Sequence, residues 1–386
     1  MFGSHFPLDY PDSGTISAMS RVVHLHIGAP KTGTTYLQDR LLLNSSTLAR
    51  HGVTIPSRRG GRSDMFHFRA ALDLLEQDWG GAPGHATGAW DAMMRKVHRA
   101  DGNVIISHEI LAGAKPDKVA KAMNDLAGDE VHIVYSARDL GRQLPAAWQE
   151  SIKQGRRWSY RRFLRAAVSG DPWFYRAFDL PSVLETWGAG LPPERIHVVT
   201  VPQPGVPGQH GDLLWLRFCE AFGIEPAWAP VDSDRRNRSL GIAETQVVRE
   251  LNRRIPRATR RGPAYDNLIR ETLAQQQLVK RESLPVRLPP RRLPWAQAQT
   301  ENWVKWLDVS GVHVIGDPHD LWPVPLAEGE RFHHPDRVRP RRQLDAAMDA
   351  LVAMTLEAGG RPDPERQLVN RVRSRAQQLR PGNRQG

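Results

Sequence analysis

The chain has 386 residues, 40% hydrophobic and 25% charged, a balance that supplies a sizeable core and argues against wholesale disorder. A single cysteine, Cys219, excludes an intramolecular disulfide framework, and no run of about 18 apolar residues is present to span a bilayer, so a reducing, cytoplasmic setting is expected. The formal net charge is +11, of which +6 lies beyond residue 330, where twelve arginines face six acidic residues. Such an end suits an anionic substrate or a peripheral contact with an anionic membrane. The aromatic and glycine pattern of RNA-binding modules is missing, and no nucleic-acid partner is expected.

Residues 1–20 carry Gly, Pro, Ser and Asp without periodicity and read as a leader without structure. RVVHLHIG (21–28) is a β-branched run ending in glycine, the mark of a buried strand. GAPKTGTT (28–35) follows, then YLQDRLLLNSSTLARHG, read as one helix carrying Leu37, Leu41 and Leu48. Further strands are expected at NVIIS (103–107), VHIVYS (131–136), RIHVVTV (195–201) and GVHVIGD (311–317). Helical patterns fall at 66–77, 89–99, 116–127, 143–154, 160–168 and 180–188. WLRFCEAFGI reads as an apolar helix that buries Cys219; another helix begins near Ala243, and a Trp-rich one precedes the last strand. The tryptophans there (Trp295, Trp303, Trp306) and Trp322 read as core filling ahead of sugar stacking.

Apolar strands alternating with helices predict an α/β fold, a three-layer parallel sheet with helices on both faces. It is expected over 21–330, with a basic helical extension over 331–386 whose two amphipathic helices break at Gly359-Gly360. Residues 205–212 and 282–294 are Pro/Gly-rich surface loops and candidates for a substrate lid.

Strand, glycine-bearing loop and helix make the entry unit of a phosphate-binding fold. A loop for a magnesium-bound triphosphate needs lysine directly after its second glycine, followed by Ser or Thr. Here Gly28 and Gly33 have that separation, but Thr34 follows Gly33 and the lysine sits earlier, at Lys31. The predicted ligand is therefore an anion with fewer charges and no obligatory metal. The amides of Thr32, Gly33, Thr34 and Thr35 would line a concavity at a helix N-terminus, with Thr34 and Thr35 adding hydroxyl donors. No histidine or cysteine spacing suggests a metal site.

GAPKTGTT resembles the 5'-phosphosulfate loop of the sulfotransferases that use 3'-phosphoadenosine-5'-phosphosulfate, whose pattern is GxxKTGTT. The resemblance runs over roughly residues 21–325 and is closest to actinobacterial sulfotransferase-like proteins, with further likeness at 136–150, 195–202, 236–241 and 311–321. It implies the P-loop-like fold of that family and transfer of a sulfuryl group to an acceptor hydroxyl on a carbohydrate, glycolipid or small metabolite. Lys31 would then reach the oxygen between the 5'-phosphate and the sulfur, where charge develops. The family holds the 3'-phosphate with an arginine at a strand end and a serine eight residues on. The arginine is Arg138, but the serine position holds Ala146. Pro145 is expected at the first turn of its helix, leaving the Ala146 amide and Arg142 as substitute donors. The family's closing RKG loop has only Arg235-Arg236-Asn237-Arg238-Ser239-Leu240-Gly241 as a counterpart; it reads equally as a basic loop whose Ser239 caps the following helix.

The proton acceptor should lie at a strand end near Lys31. NVIISHEIL offers His108, which matches the family's Thr-His pair and is favoured, and Glu109, the more regular feature among the closest proteins. His67 is an outside candidate. Two other readings remain: a P-loop kinase or nucleotidase, against which the lysine position argues, and a binding module that has lost its chemistry, which the missing serine would favour.

Overall fold

The computed structural model describes residues 21–58, 64–79, 81–170, 176–205, 212–233 and 239–361. Six strands, β1 (Val22–Gly28), β2 (Val53–Thr54), β3 (Asn103–Ser107), β4 (Glu130–Ala137), β5 (Ile196–Thr200) and β6 (His313–Ile315), pair in the order β2-β3-β1-β4-β5-β6. Every pairing is parallel. Because strand side chains alternate, Val23, Leu25 and Ile27 feed one core and His24 and His26 face the other way.

The first core is covered by α3 (Asp64–Leu74), α4 (Ala89–Val97), α5 (Pro116–Asp125), α6 (Leu140–Lys153), α7 (Tyr160–Val168), α8 (Leu180–Trp187), α10 (Ile242–Arg254), α11 (Leu293–Ser310) and α12 (Pro340–Gly359). The second holds Ile105, Val134, Val199 and Ile315 under α1 (Thr34–Leu43), α2 (Ser45–Arg50) and α9 (Leu213–Phe222). Helices on both faces of a parallel sheet make the molecule an α/β protein.

The five expected strands appear within about two residues of their predicted ends. The helix predicted over 36–52 is broken at buried Asn44, which donates to the carbonyls of Arg40 and Val231 (both 2.8 Å) and accepts from the Val231 amide (3.0 Å). A side chain that bonds the backbone competes with the helical ladder, and here it ties in a distant loop.

A second correction concerns α6. It begins at Leu140, where Asp139 accepts from the Arg142 amide (2.9 Å), so Pro145 lies inside the helix and not in its first turn. The proline ring crowds the carbonyl four residues back, which belongs to Gly141. Ala146 is consequently a buried mid-helix residue, and its amide is no phosphate donor.

Trp303 is buried, Trp295 and Trp306 pack partly against the core, and Trp322 stays 37% exposed. The 282–294 loop is tied down: Pro285 bridges Gly241, the Ile242 amide donates to Leu284 (2.8 Å), and Val286 and Leu288 are buried. The other candidate lid falls mostly outside the described residues, as do the leader and the second C-terminal helix. No described helix is long and apolar enough to cross a membrane.

Candidate functional site

The strand order decides what meets at the sheet's C-terminal edge. β1 sits between β3 and β4, so the loop after β1 is flanked by the residues that leave those two strands. This brings Lys31, His108 with Glu109, and Arg138 into one neighbourhood.

The four carbonyls from Gly28 to Lys31 are each engaged by a protein donor. Gly28 O accepts from the Ser136 hydroxyl (2.9 Å), Ala29 O from the Thr32 hydroxyl (2.6 Å), Pro30 O from Gln143 (2.9 Å) and Lys31 O from Arg138 (2.9 Å). A carbonyl facing an anion would repel it, so fixing these four elsewhere leaves amides to meet a ligand. Lys31 (φ 68°) and Gly33 (φ 95°) are left-handed, a turn geometry that makes anion-binding concavities. The first ladder bond of α1 runs from Leu37 to Gly33 O (3.0 Å), so the amides of Thr34, Thr35 and Tyr36 lie ahead of it. Gly28 is required where it stands: at φ 126°, an added Cβ would lie 2.9 Å from the Glu109 carbonyl oxygen.

Beneath the loop runs a buried polar chain. His26 lies between the hydroxyls of Ser107 (2.7 Å) and Ser136 (3.3 Å), and Ser136 also bonds Thr32. Burial pushes His26 down to about 3, which keeps it neutral and fixes the ends of β1, β3 and β4 together.

The Lys31 ammonium is 3.1 Å from the Glu150 carboxylate. Lys153 (2.7 Å) and Arg270 (3.6 Å) converge on the same carboxylate, and Arg270 stands on a wide-turned π-helical segment, Asp266–Gln277. Burial opposes ionisation of Glu150, but Lys153, Lys31 and Arg270 outweigh it and hold its acid well below the usual range. Sequence reasoning missed Glu150, Lys153 and Arg270. The available signal was Glu150 as the one charged side chain in the largely buried run Gln143–Ile152 of α6; Arg270 has no such signal, because a π-helical turn leaves no sequence period.

The predicted base residues separate. His108 caps the short helix that follows β3: its Nδ1 accepts from the Ile110 amide (3.3 Å), and its ring stacks on Phe68. Burial lowers its pKa. Glu109 faces the loop instead. Burial pushes its acid up, but His108, its own backbone, Lys31 and the Thr34 hydroxyl outweigh this and leave it below the ordinary value. His67 is a structural residue: Nδ1 accepts from the Ser107 amide (3.1 Å), Nε2 donates to Pro56 O (2.7 Å), and burial lowers it to about 4.

Arg138 and Arg142 also divide. Arg142 is consumed by Asp139 and by the carbonyls of Pro202 (2.9 Å) and Val201 (3.2 Å), a clamp between α6 and the end of β5 rather than a phosphate donor. Arg138 is lowered to about 10 by burial and beside Arg142, and its buried Nε has no partner among the described residues. Arg235 to Arg238 lie outside the described residues; Gly241, not Ser239, occupies the cap position of α10. Cys219 is buried and pushed up to about 12, an inert thiol. No family model, curated protein or solved structure matches this chain.

Proposed function

We propose that the protein is a sulfotransferase that moves a sulfuryl group from 3'-phosphoadenosine-5'-phosphosulfate to an acceptor hydroxyl. The observation that carries this reading is the loop with four tied carbonyls and a lysine inside it, flanked by a carboxylate from β3 and an under-used arginine from β4. Amides of Thr32 to Thr35 would hold the 5' end, and the free donors of Arg138 suit the 3'-phosphate as a fork.

In the reaction a new bond forms between sulfur and the acceptor oxygen while the bond from sulfur to the 5'-phosphate oxygen breaks. Lys31 would leave Glu150 and neutralise charge on that departing oxygen. Glu109, ionised and beside Lys31, would take the hydroxyl proton, a role for which His108 has its Nδ1 lone pair already engaged. Lys153 and Arg270 would remain to keep Glu150 ionised.

Two measurements test this. Calorimetry in the presence of a chelator should show binding of 3',5'-adenosine bisphosphate, and labelled donor incubated with the protein and a cell extract should give sulfated product that Lys31→Ala no longer forms. Absence of bisphosphate binding, or turnover of a triphosphate that requires magnesium, would overturn the reading.

A further inference from the structure

Away from the loop, α7 and the one-turn helix Pro290–Arg292 ahead of α11 border an open cleft of about 430 Å³ lined by Arg161, Leu164, Arg165, Arg291 and Arg292. None of the four arginines makes an ion pair with a described residue. Asp336, which lies beside the start of α7, accepts from the backbone amides of Tyr160 (2.8 Å) and Arg161 (3.0 Å). His334 sits in the same field: burial lowers its pKa, Asp336 opposes this, and Arg291, Arg337 and Arg161 lower it further.

Repelling charges of this kind are held together by the fold. Arg161 and Arg165 are one helical turn apart, a like-charge spacing that by itself destabilises a helix. They project from a helix anchored by buried Tyr160, Phe163, Leu164 and Ala167. Arg291 and Arg292 follow Pro289-Pro290, whose fixed backbone presents them on a rigid turn. Each guanidinium is a planar fork that takes two oxygens of a phosphate or sulfate. Four forks around one cleft exceed what a monovalent anion can satisfy, and the volume suits a small ligand rather than a folded partner.

We propose that this cleft is a second anion site, independent of the loop, for a small oxyanion carrying two or more negative charges. A free polyphosphate and the phosphorylated headgroup of a lipid share that chemistry. Titration of the full chain with sodium tripolyphosphate at physiological salt should show saturable binding. Arg161→Gln with Arg291→Gln should weaken it by about tenfold or more, while Lys31→Ala leaves this component in place. The arginines exchanged are exposed, so the urea midpoint should not move and folding is controlled. In parallel, phosphatidylcholine vesicles carrying phosphatidylinositol bisphosphate are compared with vesicles brought to equal charge by phosphatidylserine. Retention on the first alone assigns a lipid source, and tripolyphosphate binding without such retention assigns a soluble one. Absence of both signals, or binding that survives the double substitution, overturns the proposal.

Discussion

Because the Nδ1 lone pair of His108 is committed to the Ile110 amide, the proton on its ring sits on Nε2, and the imidazole can donate to a substrate but not accept from it. Glu109 lacks that commitment: it shares the loop with Lys31 and the Thr34 hydroxyl and stays ionised through the neutral range. The two residues therefore differ in what their replacement should do. Glu109→Gln is expected to lower the transfer rate by about 10²–10⁴-fold while 3',5'-adenosine bisphosphate binds with nearly unchanged affinity. His108→Gln, which removes a cap and a stacking partner, should act mainly on stability. Single-turnover rates and calorimetry on both variants check this; a loss of rate confined to His108→Gln would reverse the assignment. The match to the family's Thr-His pair favours His108 on sequence, and what a sequence pattern does not contain is the backbone amide that claims the ring.

At strand ends glycine is needed for two separable reasons, steric at Gly28, the last residue of β1, and conformational at Gly52 before β2. Gly28 combines a left-handed φ with a Glu109 carbonyl oxygen 2.9 Å from where a Cβ would stand, and a backbone atom of the short helix after β3 cannot swing aside. Gly52 has φ 75° and nothing within 4 Å of its Cβ position. Gly28→Ala should therefore cost about 3 kcal/mol or more, strain and overlap together. Gly52→Ala should cost only about 1 kcal/mol, the left-handed penalty alone. Urea midpoints of the two variants decide it: equal losses would contradict the close approach. Strands such as Asn103–Ser107 were legible because a strand buried on both faces is a short unbroken apolar run, whatever it pairs with. β2 has only two residues and carries no pattern at all. The start of α6 was misread because Pro145 is a usual sign of a first turn, and only the Asp139 cap shows that the helix begins ahead of it.

Which strands become neighbours is not written in any single segment, so the order β2-β3-β1-β4-β5-β6, and with it the meeting of Glu109, Arg138 and Lys31, had to come from the fold. The same order lines up histidines that lie far apart in the chain. His132 Nδ1 is 2.8 Å from His197 Nε2, His197 Nδ1 is 3.1 Å from His313 Nδ1, and the His24 ring is 5.1 Å from that of His132. Burial lowers His24 and His67 to about 4, and His26 and His197 to about 3. Above pH 6.5 these rings are neutral in both the folded and the unfolded chain, so stability does not depend on them. Between 6.5 and about 4 the unfolded chain takes up protons that the native state refuses, and stability must fall as pH falls. Each fully buried ring contributes a slope of up to about 1.4 kcal/mol per pH unit, and the less covered His197 contributes less. Glu150, whose acid is held well below the usual carboxylate range, adds its own loss only further down, below about pH 4.5. The melting temperature should thus be level from pH 8 to 7 and drop steeply from 6.5 to 5, above the range in which Glu150 contributes. Scanning calorimetry at half-unit steps reads this directly, and a melting temperature still level at pH 5 would mean that the rings across the sheet take up protons without unfolding it.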